Sequence, residues 1–160
     1  VYKRQCLNSD TKLIYISTDY VYPGTKGNYS EDDSVSPFSR TNDGIYKYGW
    51  SKLGGECAVR FLDNYLILRA CLSDYPFPHD VAFKDVKKSY IYTKDAAKII
   101  LKILDQQGIV NLGGNSQTVY EFASKTNKQI KAIQYKDATN LDIAPDTTMN
   151  IKKLNDMIQL

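Results

Sequence analysis

The chain has 160 residues and a formal net charge of +3, from 21 basic and 18 acidic residues. This length predicts one domain whose apolar core needs neither disulfides nor a metal. The basic residues are scattered, which argues against a nucleic-acid partner. Three cysteines without a Cys-x-x-Cys spacing indicate a reducing, cytoplasmic location, and a single histidine excludes a histidine-rich metal site. No apolar stretch approaches the length of about 18 residues that a membrane span needs.

The first half of the chain carries strand, loop and helix signals. Residues 13–16 form a continuous apolar run, which is typical of a buried strand in a parallel sheet. Polar residues 17–19 follow it, and ligands of open α/β sheets bind at the carboxyl ends of strands. Residues 23–44 hold several glycines and prolines and are predicted to form a long surface loop. Residues 45–62 have helical spacing, with an apolar face made by Trp50, Leu53, Cys57 and Phe61.

The second half continues the alternation of strands and helices. Residues 65–72 are predicted to form a second buried strand, and residues 109–112 a third. Thr93 can cap a helix that Gly108 ends, with a stripe of Ala96, Ile99, Ile100 and Ile103. Residues 118–126 and 150–158 are predicted to be helical, and residues 130–135 extended. The alternation predicts an α/β fold with a parallel sheet.

Tyr48 and Lys52 are the first candidates for catalysis. Residues four apart lie on one face of a helix, and a nearby ammonium favours the phenolate form of a tyrosine. Such a tyrosine can exchange a proton with a carbonyl oxygen, which a strand-end hydroxyl such as Thr18 can hold. The other two Tyr-x-x-x-Lys pairs, at 22 and 26 and at 90 and 94, do not lie within a plausible helix. An exposed pair on a solvated helix face remains the alternative interpretation.

Gly54 and Gly55 lie inside the same predicted helix, although each glycine costs about 1 kcal/mol relative to alanine there. Gly55 is on the face of Tyr48 and Lys52. The missing side chain predicts a close approach at this face, either by another helix or by a ligand.

Longer blocks go beyond these generic patterns. Residues 13–22 read Leu-Ile-Tyr-Ile-Ser-Thr-Asp-Tyr-Val-Tyr, and residues 48–56 read Tyr-Gly-Trp-Ser-Lys-Leu-Gly-Gly-Glu. Both blocks, together with residues 66–69, 92–97 and 108–114, resemble segments of the dTDP-4-dehydrorhamnose reductases, and they occur in the same order. These reductases are extended short-chain dehydrogenases/reductases, so the resemblance implies a Rossmann-type parallel sheet.

The resemblance also implies a role for each matching residue. Tyr48 would give a proton to a sugar ketone, and Lys52 would bind the nicotinamide ribose and tune Tyr48. Thr18 would hydrogen-bond the reacting oxygen, with Asp19 beside it in the substrate pocket. Leu72 stands where the family has a substrate-contacting tryptophan. The cofactor would be NADP or NAD, the partner a nucleotide sugar, and a homodimer is a further expectation.

Two departures from the family pattern matter. The glycine-rich motif Gly-x-x-Gly-x-x-Gly, which holds the pyrophosphate of the dinucleotide, does not occur in the sequence. This predicts a C-terminal fragment, inactive alone, that holds only the C-terminal strands of the Rossmann sheet. Residues 1–72 would be the last part of that domain. Residues 73–160 would be mainly a small substrate-binding subdomain, with a returning strand near 109–112.

The second departure is Leu72 in place of the family's tryptophan. The pair of residues that follows Thr18 bears instead on the reaction type. Related dehydratases place Asp-Glu after the threonine, whereas this chain has Asp19-Tyr20, which argues against water elimination. The expected activity is NAD(P)-dependent reduction of a 4-keto nucleotide sugar. Two alternatives remain, namely a non-catalytic regulatory protein like the regulatory subunit of methionine adenosyltransferase, and a nucleotide-sugar epimerase.

Overall fold

The computed structural model describes residues 2–9, 11–38, 44–138 and 143–159. The α-helices of these residues are α1 (Tyr2–Leu7), α2 (Gly44–Val59), α3 (Thr93–Lys102), α4 (Val119–Ala123) and α5 (Lys152–Ile158). The strands are β1 (Leu13–Thr18), β2 (Tyr65–Ala70), β3 (Leu72–Ser73), β4 (Val81–Phe83), β5 (Lys87–Lys88), β6 (Ile91–Tyr92), β7 (Gly108–Leu112), β8 (Gln117–Thr118) and β9 (Lys131–Ile133). Short 3₁₀ helices span Asp19–Val21 and Tyr135–Asp137.

The central sheet is parallel, with the strand order β1-β2-β7. Each parallel step needs a crossover, and α2 and α3 lie in the two connections. Thr18 pairs with Ala70, and Ala70 with Leu112, so the carboxyl ends of the three strands meet at one edge. The predicted α/β fold with a parallel sheet is confirmed.

One face of this sheet packs on α3 and α5. Buried side chains of β2 and β7 meet the apolar stripe of α3 and one leucine of α5, and together they form the main core. Its buried members are Leu66, Leu68, Ala70, Ala96, Ile103, Val110, Leu112 and Leu154. The predicted stripe on α3 is thereby confirmed.

Strand β1 is less buried than its apolar sequence predicts. Leu13, Ile14 and Tyr15 are half-buried, and Ile16 is exposed. The reason is that β1 pairs only with β2 among the described residues, so its other edge has no neighbouring strand there. The polar end of the strand, in contrast, is buried.

A second core lies among the short strands. β4 pairs with β9, β5 pairs with β8, and α4 packs on β4. Phe77, Phe83 and Phe122 are buried at its centre. Thr118 caps α4 through a reciprocal pair of hydrogen bonds with Glu121, which explains where that predicted helix begins.

The predicted surface loop is only partly at the surface. Tyr29 is fully buried and stacks on Tyr22, with ring centroids 4.8 Å apart. Its backbone N–H donates to the Thr148 carbonyl at 2.9 Å, and its carbonyl accepts from the Asn150 N–H at 2.8 Å. The segment before α5 therefore holds this loop against the protein. Residues 39–43 of the predicted loop lie outside the described residues.

The buried face of α2 differs from the predicted one. Of the predicted apolar face, Leu53 is buried, whereas Trp50, Cys57 and Phe61 are exposed and the charged Glu56 is buried instead. The apolar pattern was misleading because the helix buries a charged residue against the sheet.

The start and end of α3 also differ from the prediction. Tyr92 precedes the helix without a side-chain cap, and the Thr93 hydroxyl donates to the Ser73 carbonyl at 3.1 Å. The helix ends at Lys102, and Gly108 instead opens β7 with a φ of +88°. Across the described ranges, the helices are too short or too polar to cross a membrane.

Candidate active site

A cavity of about 220 Å³ opens at the carboxyl ends of β1 and β2. Three of the predicted site residues, Thr18, Asp19 and Tyr48, line it together with Leu72. The structure thus brings four of the five sequence-predicted residues to one place. The remaining lining residues are Ile16, Ser17, Tyr20, Ala70, Cys71, Lys88 and Tyr90.

Thr18 ends β1 and is held in a tight corner. Its backbone is extended, and its Oγ1 accepts the Tyr20 backbone N–H at 3.3 Å, which starts the 3₁₀ turn. The same hydroxyl donates to the Asp19 Oδ1 at 3.3 Å. The corner fixes the direction of the hydroxyl at the cavity wall.

Asp19 is buried and paired rather than open to a ligand. Its Oδ2 accepts from the Lys88 Nζ at 2.9 Å and from the Thr147 hydroxyl. The side chains of Asp19 and Lys88 are 4% and 2% exposed, so this is a buried ion pair in the cavity wall. The predicted substrate contact by Asp19 remains a prediction, and its oxygens already have protein partners.

Tyr48 lies at the mouth of the cavity on α2. Its side chain is 46% exposed, and its ring meets the Tyr20 ring edge-on, with centroids 6.4 Å apart. An exposed phenol beside a strand-end hydroxyl can reach a ligand bound in the cavity.

Lys52 follows Tyr48 by one turn but lies outside the lining of the cavity. Its Nζ is 4.4 Å from the centroid of the Tyr15 ring, a cation–π contact. Burial lowers the pKa of Lys52, and the negative charge of Glu56 opposes this. The ammonium thus contacts a side chain of strand β1.

Gly55 allows strand β1 to approach this helix. A Cβ on Gly55 would overlap the Tyr15 hydroxyl, which donates to the Lys52 carbonyl at 3.3 Å. A Cβ on Gly54 would meet open space. The predicted close approach at Gly55 is confirmed, but the approaching group is a tyrosine of strand β1 rather than another helix or a ligand.

A second cavity of about 330 Å³ adjoins the first. Tyr20, Lys88 and Tyr90 line both cavities and so form the wall between them. The second cavity is otherwise mainly apolar, with Phe77, Val81, Ala82, Phe83, Val86, Val119, Ile133 and Ile143 among its lining residues. Together the two cavities can receive an extended ligand with one polar and one apolar part.

Sequence reasoning missed Lys88, Tyr90 and Tyr20. Lys87-Lys88 reads as an exposed charged pair, but alternation along β5 exposes the first lysine and buries the second. In the sequence, Tyr90 stands out only through its Tyr-x-x-x-Lys spacing to Lys94. A strand of two residues is too short to show the alternation of polar and apolar residues that would predict which lysine is buried.

The residues present suit one end of a dinucleotide. The Tyr48 hydroxyl in the cavity lining and the Lys52 ammonium one helical turn beyond are donors that can hold the hydroxyls of a nicotinamide ribose. The pyrophosphate-binding glycine motif is not in the 160-residue sequence, so these residues do not account for the other end. The described residues include no group of three or more side chains that could hold a metal ion.

Part of the sequence is similar to known proteins. Residues 3–72 match the family model described as RmlD substrate binding domain. The beta subunit of methionine adenosyltransferase 2 from Rattus norvegicus is 48% identical over 54 residues, which are 34% of this chain and 14% of that protein.

Solved structures resemble nearly the whole chain. A hypothetical dTDP-4-dehydrorhamnose reductase from Sulfolobus tokodaii has a TM-score of 0.78 and 26% identity over 96% of this chain and 60% of its own. The dTDP-4-dehydrorhamnose reductase of Bacillus anthracis, in complex with NADP, has a TM-score of 0.74 and 23% identity over 91% of this chain and 59% of its own. The chain thus spans about 60% of the length of these structures. Residues 3–72 thus resemble the RmlD substrate binding domain in sequence, and the chain shares the α/β fold of the dTDP-4-dehydrorhamnose reductases.

Proposed function

We propose that these residues belong to an NAD(P)-dependent reductase of a 4-keto nucleotide sugar. The observation that carries the proposal is the pair of hydroxyls in one cavity at the carboxyl ends of parallel strands. Thr18 supplies one and Tyr48 the other, with Lys52 one helical turn beyond. The resemblance to dTDP-4-dehydrorhamnose reductases gives the proposal its substrate class.

The two hydroxyls divide the work on the sugar ketone. Thr18 donates a hydrogen bond to the carbonyl oxygen and so orients the ketone in the cavity. Tyr48 gives its proton to that oxygen as the carbonyl carbon is reduced. The dinucleotide, when bound, supplies the hydride.

Lys52 serves Tyr48 and the ribose together. Its ammonium is held over the Tyr15 ring on the same helix face as Tyr48, so it favours the phenolate that remains after proton transfer. The contact with Tyr15 leaves its N–H groups available for the hydroxyls of a ribose.

The second, apolar cavity suits the rest of the substrate. It opens past Tyr20 and Tyr90, and it is larger than the cavity that holds the reacting hydroxyls. We assign it to the part of the nucleotide sugar that does not react. Leu72, at the rim of the first cavity, would contact the sugar through its apolar side chain.

Turnover of the full-length gene product tests the proposal, with dTDP-4-dehydrorhamnose as the probe and oxidation of NADPH as the readout. The Tyr48→Phe variant keeps the ring but loses the proton donor, so we expect kcat to fall by roughly 10²–10⁴-fold with little change in substrate binding. Tyr75→Phe is the matched control, because Tyr75 is exposed and lines neither cavity. Equal activity of Tyr48→Phe and wild type would refute the assigned role.

A regulatory protein is the second candidate. Its support is the 48% identity over 54 residues to the beta subunit of methionine adenosyltransferase 2. If the full-length protein neither oxidises NADPH nor binds the probe, but changes the kinetics of a methionine adenosyltransferase catalytic subunit, this function replaces the reductase. An epimerase would differ from both, because it changes the sugar without net oxidation of NADPH.

Three further expectations stay predictions alongside the proposed reaction. The division into residues 1–72 and 73–160 is tested by limited proteolysis. The homodimer is tested by sedimentation, and the cytoplasmic location by cell fractionation.

A further inference from the structure

Lys88 is a fully buried lysine in the wall between the two cavities. Its Nζ lies 2.9 Å from the Asp19 Oδ2 and 3.8 Å from the centroid of the Tyr20 ring. The 3₁₀ turn that carries both partners follows Thr18 directly. The proposed reaction, as described above, makes no use of this lysine.

Fold stability does not explain the position of Lys88. A buried ion pair loses hydration on both sides, and apolar residues of similar volume are often equally or more stabilising. The partners of Lys88 are instead concentrated at the reacting corner. Burial lowers the pKa of Lys88, but the Asp19 carboxylate raises it, and the net result lies well above the ordinary value. Lys88 is therefore a fixed positive charge beside Thr18.

The hydrogen bonds of Asp19 are asymmetric. Oδ2 accepts from Lys88 and from the Thr147 hydroxyl, whereas the hydrogen bond that Oδ1 accepts from Thr18 is long, at 3.3 Å. The Cys71 thiol is a further hydrogen-bonding partner of the Asp19 carboxylate. Two donors on Oδ2, one of them charged, draw the carboxylate charge toward that oxygen. Oδ1 is then a weaker acceptor, and the Thr18 proton is less tightly held.

We propose that Lys88 is a positioning residue that draws the charge of Asp19 away from Thr18, so that the Thr18 hydroxyl can donate to the substrate oxygen. The inference rests on the proposed reductase function. Without the ammonium, the uncompensated Asp19 carboxylate would hold the Thr18 hydroxyl in a stronger hydrogen bond. If Asp19 instead took up a proton, its own O–H would compete with Thr18 as a hydrogen-bond donor. In either case Thr18 would no longer be a free donor. Thr147 assists from the same side of Asp19.

The first experiment compares Lys88→Met with Lys87→Met in the full-length protein, with dTDP-4-dehydrorhamnose and NADPH. Lys87 is the exposed neighbour on β5, so its variant is the matched control. We expect Lys88→Met to lower kcat by about 10–100-fold and to change KM much less. The reason is that the Thr18 hydroxyl donates most strongly to the negative charge that develops on the substrate oxygen during reduction. Lys88→Arg keeps a cation and is expected to be more active than Lys88→Met.

A double-mutant cycle shows whether Lys88 acts through Thr18. Thr18→Val removes the hydroxyl, so Lys88→Met in that background should cause no further loss of kcat. A merely structural role would give effects on kcat that multiply.

Thermal unfolding measurements show whether each variant folds. If Lys88→Met does not fold, Thr147→Val removes the other donor to Oδ2 without removing a charge. The kcat of Thr147→Val should fall by about three- to tenfold. In the Thr18→Val background, Thr147→Val should cause no further loss of kcat.

The outcomes separate this inference from the proposed function. An active wild-type protein in which Lys88→Met matches Lys87→Met would overturn the role of Lys88 and leave the reductase intact. The role of Lys88 would also be overturned if the losses of kcat in Thr18→Val and Lys88→Met multiply in the double variant. If Lys88→Met does not fold, the same holds for Thr18→Val combined with Thr147→Val. A wild-type protein that neither binds nor reduces the probe would remove the proposed function, and the role of Lys88 with it.

Discussion

At the scale of single residues, the ion pair of Glu56 and Arg69 fixes helix α2, which carries the candidate residues Tyr48 and Lys52. The Arg69 Nη2 donates to the Glu56 Oε2 at 2.9 Å, and its Nε donates to Oε1 at 3.1 Å. The Ser17 hydroxyl also donates to Oε1. Glu56 is on α2, one turn after Lys52, while Ser17 and Arg69 are on neighbouring strands. The pair therefore sets the rotation of α2, and with it the positions of Tyr48 and Lys52.

Removal of one partner should destabilise the protein strongly. Arg69→Met leaves the buried Glu56 carboxylate without its cation, and we expect the free energy of unfolding to fall by about 3–5 kcal/mol in urea denaturation. The exposed Arg60, which follows α2, provides the control, and Arg60→Met should change the value by less than about 0.5 kcal/mol. Glu56→Met combined with Arg69→Met should recover most of the loss, because no unpaired charge remains. A loss below about 1 kcal/mol for Arg69→Met alone would contradict this account.

At the scale of elements, α2 shows why two adjacent glycines differ. The Tyr15 hydroxyl occupies the position that a Cβ on Gly55 would take, and it donates to the carbonyl of the preceding turn. Gly54 faces open space, so its missing side chain has no packing role in the structure. The contact at Gly55 holds the Tyr15 ring beneath the Lys52 ammonium.

Alanine at the two positions should have effects of opposite sign. Gly54→Ala removes the conformational freedom of a helical glycine, and we expect the free energy of unfolding to rise by about 0.5–1 kcal/mol. Gly55→Ala must displace Tyr15, and a fall of about 1–2 kcal/mol is expected. In a Tyr15→Val background the overlap is relieved, so Gly55→Ala should no longer destabilise the protein. Equal effects of Gly54→Ala and Gly55→Ala would show that Tyr15 moves away at little cost.

The elements were more predictable than the details of the site. Continuous apolar runs predicted β1, β2 and β7, because strands of a parallel sheet are apolar along their length. The predicted apolar face of α2 was wrong except at Leu53, because Glu56 is buried through a partner 13 residues away in sequence. Thr18 and Tyr48 follow from motifs at a strand end and on a helix. Lys88 has no such motif, because its burial depends on Asp19, a contact that spans 69 residues.

At the scale of the whole molecule, Asn111 joins three separate segments. Its Oδ1 accepts from the Tyr22 hydroxyl at 2.7 Å, and its Nδ2 donates to the carbonyls of Tyr29 at 2.9 Å and Asn150 at 3.2 Å. Burial raises the pKa of Tyr22 to about 12, although Arg69 opposes this, so the hydroxyl stays a donor at neutral pH. One amide on β7 thus connects the loop after β1 and the segment before α5.

Loss of this amide should loosen that segment as a unit. Asn111→Ala leaves the Asn150 carbonyl without its described donor and the Tyr22 hydroxyl without one acceptor, so we expect the free energy of unfolding to fall by about 2–4 kcal/mol. The N–H groups of Tyr29 and Asn150, which bond across the same junction, should exchange with deuterium faster than those of β2. Asn115→Ala, at an exposed position, should leave both rates unchanged. Since Thr147 lies within the loosened segment, Asn111→Ala should also weaken the hydrogen bond from the Thr147 hydroxyl to Asp19. The kcat of the proposed reaction should fall as a result. Wild-type exchange rates at Tyr29 and Asn150 in Asn111→Ala would show that the stacked tyrosines hold the segment without the amide.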